Sequence, residues 1–408
     1  MSDGSRGDAS DADTALPATF SCPLVGQVVE GTHGFCKCPV RLPDECAPAC
    51  VDLQNDGEHC GDCNTVCEPG AGCRAGHCAA PPAEVGTLGG CVNPRMILRG
   101  NTFYFSDTGT GKISSMPLAG GAVTEIANGL ALENPAKPTR TSAIASDGAA
   151  LYWSNMGDDT IMKVALSGGT PITLIELDAP ARGLAVGGGM VFFTHRADVF
   201  KIPSDGLASD AGAGVPPAAV DCQGSTAPAM GDAVPGAIYV ASSNESCIPG
   251  GEAAGIALND TDVIYTIDVH GAMAQNSQNG GAHVTLILGD DVGPARDLVA
   301  LNATHAFAAG YSSVLKANLG EYASYEAVVN AVDSGIVTGF SVSDTHVYVA
   351  SDHGGISRAS ITTPVDNTLV VSEHLVRDQP TPRWLVNDGT QLYWIGSDCK
   401  IRSIEMPP

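Results

Sequence analysis

A short phrase that recurs seven times constrains the fold of this chain more than any other feature. Between residues 103 and 395, a polar turn is repeatedly followed by a run of alternating bulky apolar residues that ends in a small or polar residue. Such alternation indicates half-buried β-strands. The seven runs are Phe103-Tyr-Phe-Ser-Asp107, Leu151-Tyr-Trp-Ser-Asn155, Val191-Phe-Phe-Thr-His195, Val263-Ile-Tyr-Thr266, Ala306-Phe-Ala-Ala309, Val347-Tyr-Val-Ala-Ser351 and Leu392-Tyr-Trp-Ile-Gly396.

The spacing of these runs predicts the architecture. Their central residues are separated by 48, 40, 72, 43, 41 and 45 residues. Units of about 40–50 residues with four strands each are typical of β-propeller blades. We therefore predict an all-β fold with a β-propeller over residues 85–408, built from seven blades, with six or eight left open.

One interval is too long for a single blade and marks an insertion at 205–251, rich in Gly, Ala and Pro. We interpret this insertion as a decorated connection that follows the third blade, with a candidate extra strand at 237–241. Its two cysteines, Cys222 and Cys247, are expected to form a disulfide.

Cysteine density separates a second region from the propeller. Ten of the 14 cysteines lie between Cys22 and Cys78, with few large apolar residues among them. A segment this small needs cross-links to hold one conformation, so we predict a disulfide-rich module over 21–80. Cys60, Cys63 and Cys67 have spacings that also suit a metal site, but ten crowded cysteines favour disulfides over a four-ligand centre.

Cysteines and charge together restrict the location and the partners. A dense, even set of cysteines indicates an oxidising compartment, so we expect an extracellular, periplasmic or outer cell-surface protein. Residues 1–20 are acidic and poor in apolar side chains; we expect a disordered tether behind a cleaved leader or a lipid anchor. The net charge of −25 argues against nucleic acid as a partner. No segment is apolar enough to span a membrane, and we expect a monomer.

The last unit of the propeller has three candidate strands, at 382–386, 391–395 and 399–404. A blade needs four, so the fourth is expected at Val85–Val92, where it would close the ring and leave no exposed sheet edge. Cys91 would then lie beside Cys399, and we predict a disulfide between them.

Candidate functional residues follow the second strand of each blade, in loops expected to gather around the central channel. Acids and histidines that converge on one funnel can bind a small ligand or a divalent metal such as calcium, or act as a general base. The alternative is that they cap tight strand turns. No spacing marks a metal-ligand set, so the metal stays unknown and no other cofactor is expected. The funnel candidates are Asp107, Asn155, His195, Asp268, His270, Tyr311, Asp352 and His353.

Two resemblances accompany these features. Leu151–Asn155, Phe103–Asp107 and Leu392–Ile395 resemble the YWTD and NHL class of propeller repeats, which implies the fold and no particular activity. Residues 46–78, with the spacing Cys60-Gly-Asp-Cys63, resemble the stigma-specific-protein-like cysteine module of secreted proteins. Those proteins include bacterial surface proteins in which the module precedes a propeller.

The same class of folds includes streptogramin-type lyases and lactone hydrolases, whose chemistry uses His, Glu and a divalent metal at the funnel. The resemblance implies such a role for His270 or His353. No catalytic constellation is readable from the residues themselves. We therefore expect an exported binding protein whose ligand, a protein, a glycan or a small molecule, docks at the propeller funnel. The alternative is a metal-assisted lyase or hydrolase acting at the same funnel.

Overall fold

The chain separates into two compact units, Met1–Ala80 and Pro81–Pro408. All regular secondary structure among the described residues is β-strand. These residues contain no helix that is long and apolar enough to cross a membrane. The computed structural model describes residues 28–30, 35–38, 43–54, 56–68, 71–74, 76–130, 132, 143–206, 234, 237–242, 252–268, 271–280, 283–287, 298–329, 335–362 and 373–407.

The first unit is held together by disulfides around short antiparallel strand pairs. Its described strands are β1 (Val28–Glu30), β2 (Phe35–Lys37), β3 (Asp44–Cys46), β4 (Ala49–Val51), β5 (Cys73–Arg74) and β6 (His77–Cys78). The only compact core described here consists of Cys60, Cys67, Ala71 and Cys73, too little apolar surface to hold a fold alone. Among the described residues of this unit, four disulfides supply the cross-links: Cys38–Cys50, Cys46–Cys63, Cys60–Cys73 and Cys67–Cys78.

The second unit is a seven-bladed β-propeller, as the repeat predicts. Each blade is a four-stranded antiparallel meander, and the first strands of the blades adjoin one another in a closed ring around the central channel. The first blade contains β8 (Arg95–Arg99), β9 (Thr102–Asp107), β10 (Lys112–Pro117) and β11 (Thr124–Ala127). The second contains β12 (Ile144–Ser146), β13 (Ala150–Asn155), β14 (Thr160–Ala165) and β15 (Ile172–Glu176).

The next four blades repeat this order. The third contains β16 (Leu184–Gly187), β17 (Met190–His195), β18 (Asp198–Pro203) and β19 (Ile238–Ser242). The fourth contains β20 (Ala253–Leu258), β21 (Asp262–Ile267), β22 (Ala272–Ser277) and β23 (His283–Ile287). The fifth contains β24 (Val299–Leu301), β25 (His305–Ala309), β26 (Val314–Asn318) and β27 (Tyr325–Val329). The sixth contains β28 (Val337–Val342), β29 (His346–Ser351), β30 (Ile356–Ser360) and β31 (Glu373–Val376).

The seventh blade joins the two ends of the propeller. It consists of β32 (Arg383–Asn387), β33 (Gln391–Ile395), β34 (Lys400–Glu405) and the closing strand β7 (Ala83–Thr87). The closing strand ends earlier than the predicted Val85–Val92, because Leu88 onward leaves the sheet to reach the first blade. Cys91 and Cys399 are disulfide-bonded, with Cα atoms 5.3 Å apart, across 308 residues of sequence.

The position of the insertion differs from the prediction that it follows the third blade. Ile238–Ser242 is the outer strand of the third blade, paired with β18 (Asp198–Pro203), and is not an extra strand. Most of the insertion therefore separates the third and fourth strands of that blade and does not follow it. The error arose because a strand so distant in sequence from its partner carries no local pairing signal. Cys222 and Cys247 lie outside the described residues.

Neighbouring residues of the repeated run pack toward opposite blades. Tyr152 belongs to a core cluster with Phe193 of the third blade. Trp153, one residue on, belongs to a cluster with Tyr104 of the first blade. Both side chains are fully buried. The two-residue period of a strand thus gives each blade an apolar face toward both neighbours, which is why the run alternates bulky residues throughout.

Candidate functional site

We call the face where the second strand of each blade ends the upper face, defined by Asp107, Asn155, His195, Ile267, Ala309, Ser351 and Ile395. The predicted funnel residues within the described part of the chain lie on or just beyond these strand ends. His270 lies outside the described residues.

Three predicted acids connect the second strand of a blade to the segment that leads into its innermost strand. Each carboxylate accepts a hydrogen bond from a backbone N–H of that segment. The three bonds are Val92 N to Asp107 Oδ1 at 2.9 Å, Glu252 N to Asp268 Oδ1 at 3.0 Å and Ile336 N to Asp352 Oδ1 at 2.7 Å. These acids therefore satisfy backbone donors at the blade edge, the capping role expected of short acidic side chains.

Hydroxyl groups near the end of the second strand do the same in the second, third and fourth blades. The bonds are Ala143 N to Ser154 Oγ at 2.8 Å, Gly183 N to Thr194 Oγ1 at 2.7 Å and Gly255 N to Thr266 Oγ1 at 2.9 Å. The polar residues at these strand ends thus have a structural role, since in five of the seven blades they fix the innermost strand, or the segment leading into it, to the second strand. These hydrogen bonds agree with the alternative interpretation of the funnel candidates, in which short polar side chains cap strand turns.

Asp268 also belongs to an ionic cluster around the buried Arg182. Arg182, which precedes the innermost strand of the third blade, contacts the Asp268 carboxylate through Nη1. The same Nη1 lies 3.5 Å from Glu252 Oε2. Arg182 is buried, and a buried guanidinium needs such partners to offset its desolvation. The sequence indicated Asp268 and gave no reason to single out Arg182 or Glu252.

The predicted histidine His195 lies against a carboxylate at ion-pair distance. Its side chain is 1% exposed, and Nε2 lies 2.8 Å from Asp178 Oδ1. The other carboxylate oxygen of Asp178 lies 2.8 Å from Arg196 Nη2. Burial lowers the pKa of His195, and the nearby Asp178 carboxylate opposes this only in part. Asp178 lies on an irregular connection between blades, where no periodic signal could have identified it.

The lowered pKa predicts how His195 contributes to the pH dependence of stability. The unfolded chain takes up a proton on this imidazole near its ordinary pKa of 6.5, whereas the folded chain resists protonation. The contribution of His195 is therefore complete above pH 6.5 and is lost as the pH falls toward the lowered folded pKa. Urea unfolding of wild type and His195→Gln should show a free-energy difference that shrinks from pH 8 to pH 5. A constant difference would contradict this assignment.

The other funnel candidates among the described residues have separate surroundings. Asn155 Nδ2 donates to Asp158 Oδ2 at 3.0 Å, Tyr311 is about half exposed, and the His353 ring lies next to Gly335. Within the described ranges, one group of three His, Cys, Asp or Glu ligand atoms is close enough to share an ion: Cys60, Cys67 and Cys78. Their sulfurs are in disulfides and offer no thiolate.

A cavity of about 300 Å³ lies where the segment after the closing strand meets the first blade; we call it the seam cavity. Asp107 is the one predicted site residue in its lining. Lys112 Nζ and Glu125 Oε2 form an ion pair of 2.9 Å, both side chains being about half exposed. The hydrogen bond from Lys112, aided by one from Asn128, lowers the pKa of Glu125. The lining residues are Leu88, Gly89, Gly90, Phe105, Asp107, Thr110, Lys112, Ser114, Val123 and Glu125.

Fold and site define a seven-bladed β-propeller with a cavity of mixed polar and apolar lining at its closing seam. No family model and no curated protein matches the sequence. Solved structures share the fold. A streptogramin B lyase is 13% identical over 79% of this chain and 96% of its own, with a TM-score of 0.57. The virginiamycin B lyase of Staphylococcus aureus is 12% identical over 80% of this chain and 99% of its own, with a TM-score of 0.58. At such identities the likeness shows the fold alone.

Proposed function

We propose that this protein is an exported propeller that binds a small polar ligand of the saccharide class in the seam cavity. The observation that carries the proposal is the lining of that cavity. A volume of about 300 Å³ is at the lower end of the range of small-molecule sites. It suits one or two sugar rings better than a larger ligand.

The chemistry of the lining supports a saccharide. Ser114 offers a hydroxyl group, and Thr110 Oγ1, which donates to Asp107 Oδ2 at 2.7 Å, offers an acceptor oxygen. Lys112 and Glu125 add a charged donor and a charged acceptor. Sugar hydroxyls both donate and accept hydrogen bonds, so they can satisfy such a mixed set. Phe105 and Leu88 are nearly buried and give the cavity an apolar side for the C–H groups of a ring. A purely apolar ligand would remove water from these polar groups without supplying hydrogen bonds in return.

Export is supported by the disulfides. Five are present among the described residues, four in the first unit and one that closes the propeller. Such bonds persist in oxidising compartments and are rare in the cytosol. A ligand met outside the cell, such as a free or surface-linked glycan, fits that environment.

Ligand-observed NMR with a panel of mono- and disaccharides tests the proposal. Lys112→Ala should weaken binding about tenfold, because a charge-assisted hydrogen bond to the ligand is lost. Lys400→Ala is the matched control, since Lys400 forms the same kind of half-exposed ion pair with Glu84 at 2.7 Å, outside the cavity. If the oxidised wild-type protein binds no saccharide, or if both variants weaken binding equally, the proposal is wrong.

The second candidate is a metal-assisted lyase or hydrolase, and one observation favours it. His195 lies against Asp178, and its lowered pKa keeps the imidazole neutral near pH 7, as a general base requires. Mass-spectrometric metal analysis separates the candidates. A stoichiometric divalent metal that is lost in His195→Ala would favour catalysis over binding.

A further inference from the structure

The third strand of most blades contacts the next blade through one polar side chain. Its position is the one opposite the central residue of the repeated run, as Lys163 is opposite Tyr152. Lys163 Nζ donates to Ser204 O at 2.8 Å, directly after the third strand of the third blade. We call such a hydrogen bond, between a side chain of the third strand and the backbone that follows the third strand of the next blade, a blade tie. The other blade ties are Lys201 Nζ to Gln278 O at 2.6 Å, Gly320 N to Gln275 Oε1 at 2.8 Å, Lys316 Nζ to Ile361 O at 2.6 Å and Arg358 Nη1 to Pro407 O at 2.9 Å.

The first and seventh blades differ from the others at this position. Ser115 lies opposite Tyr104 in the first blade, and Ser403 lies opposite Tyr393 in the seventh. Each of the other five blades has Lys, Arg or Gln there. A serine hydroxyl is attached directly to Cβ, so it is too short to reach the next blade. Because a tie runs from each blade to the following one, the two junctions of the first blade are the ones that have no blade tie among the described residues.

Apolar packing, by contrast, is common to all seven junctions. A core cluster of buried residues fills each of them. The cluster with Tyr104 and Trp153 lies between the first and second blades, and the cluster with Phe103 and Tyr393 lies between the seventh and first. The blade tie is therefore the feature that distinguishes the two junctions of the first blade from the other five.

A disulfide holds one of these two junctions. Cys399 lies just before the third strand of the seventh blade, and Cys91 lies in the segment that leads into the first blade. The same segment donates from Leu88 N to Cys399 O at 2.8 Å and from Val92 N to Asp107 Oδ1 at 2.9 Å. In the described ranges, no disulfide joins the first blade to the second. The first blade is thus linked covalently to the seventh, and it packs against the second through an apolar cluster.

We propose that the first blade opens by local unfolding more readily than the other blades, and that it separates first from the second blade. Units that open locally have few interactions with their surroundings and often coincide with one supersecondary motif, here a four-stranded meander. The Cys91–Cys399 disulfide would keep the open blade attached to the seventh. Strands β9, β10 and β11 of this blade contribute lining residues to the seam cavity, so the opening would admit a ligand there. That last step rests on the proposed saccharide binding, whereas the opening itself does not.

Amide hydrogen exchange, followed by mass spectrometry of peptides, tests the opening in the oxidised full-length protein without any ligand. Strand β21 (Asp262–Ile267) is the internal reference, because it corresponds to β9 and its blade has a tie on each side. After correction for the intrinsic rate of each sequence, amides of β9 should exchange about tenfold faster than those of β21, the effect expected of one charge-assisted hydrogen bond. If β9 is protected as strongly as β21, the proposal is wrong. The result does not depend on whether a saccharide binds.

Ser115→Lys supplies the donor that the first blade lacks. It should slow the exchange of β9 about tenfold by donating to Leu166 O, which directly follows the third strand of the second blade as Ser204 O follows that of the third. Ser115→Glu is the matched control, because glutamate has a similar reach but no N–H to donate to a carbonyl. Its β9 amides should exchange as those of wild type do.

Lys201→Ser is the reverse test, since it removes one of the ties of the fourth blade and should speed the exchange of β21 about tenfold. Circular dichroism and the thermal midpoint establish that each variant is folded. The proposal is overturned if β9 of folded Ser115→Lys exchanges at the wild-type rate, or if Ser115→Glu slows it equally. An unchanged rate for β21 in folded Lys201→Ser would also overturn it, because blade ties would then not limit the opening.

Discussion

Replacing both Cys91 and Cys399 with serine will lower the free energy of unfolding of the propeller by about 4–5 kcal/mol. The disulfide closes a loop across 308 residues of sequence, and the entropy that a cross-link removes from the unfolded chain grows with loop length. The closing strand β7 would still pair with β34 by backbone hydrogen bonds, so the ring would form and open more readily.

Guanidinium unfolding followed by tryptophan fluorescence measures this loss, because Trp394 is buried in the blade that the disulfide closes. The control removes Cys67 and Cys78, whose bond spans 11 residues in the other unit. It should leave the fluorescence-detected transition of the propeller unchanged. A loss below about 1 kcal/mol in the Cys91–Cys399 variant would mean that strand pairing alone closes the ring.

The architecture was predictable because it rests on periodicity. Tyr152 and Trp153 face opposite blades, and that two-residue alternation, repeated seven times, specifies both the strands and their packing. The closing strand followed from a physical requirement, since an incomplete last blade would expose a sheet edge. Its end at Thr87 was not predictable, because no residue pattern shows where Leu88 leaves the sheet.

The candidate site was predictable only in part, because its residues come from irregular segments. Asp107 was anticipated. Lys112, Ser114 and Glu125 lie on the two outer strands of the first blade, where alternation does not distinguish a cavity from solvent. Asp178 lies on a connection without periodicity. Tertiary packing determines each of these features.

Replacing Trp394 with alanine will lower the free energy of unfolding about as much as removing the Cys91–Cys399 disulfide. Its side chain is 0% exposed and belongs to the core cluster between the sixth and seventh blades, with Tyr348 and Leu385. Trp394→Ala should reduce the free energy of unfolding by about 3–5 kcal/mol, because the transfer energy is lost and a cavity is left. Chemical denaturation of both proteins under oxidising conditions gives the difference.

Trp394→Phe should lower the free energy of unfolding much less than Trp394→Ala, for a reason specific to this core. The indole Nε1 of Trp394 is buried and has no hydrogen-bond partner in the described structure, and Nε1 of Trp153 is in the same state. Phenylalanine keeps most of the apolar contact and removes a donor whose burial costs about 1–3 kcal/mol. Trp153→Phe is the matched variant and should behave alike. If both phenylalanine variants lose as much stability as the alanine variant, each indole N–H must form a hydrogen bond that stabilises the core.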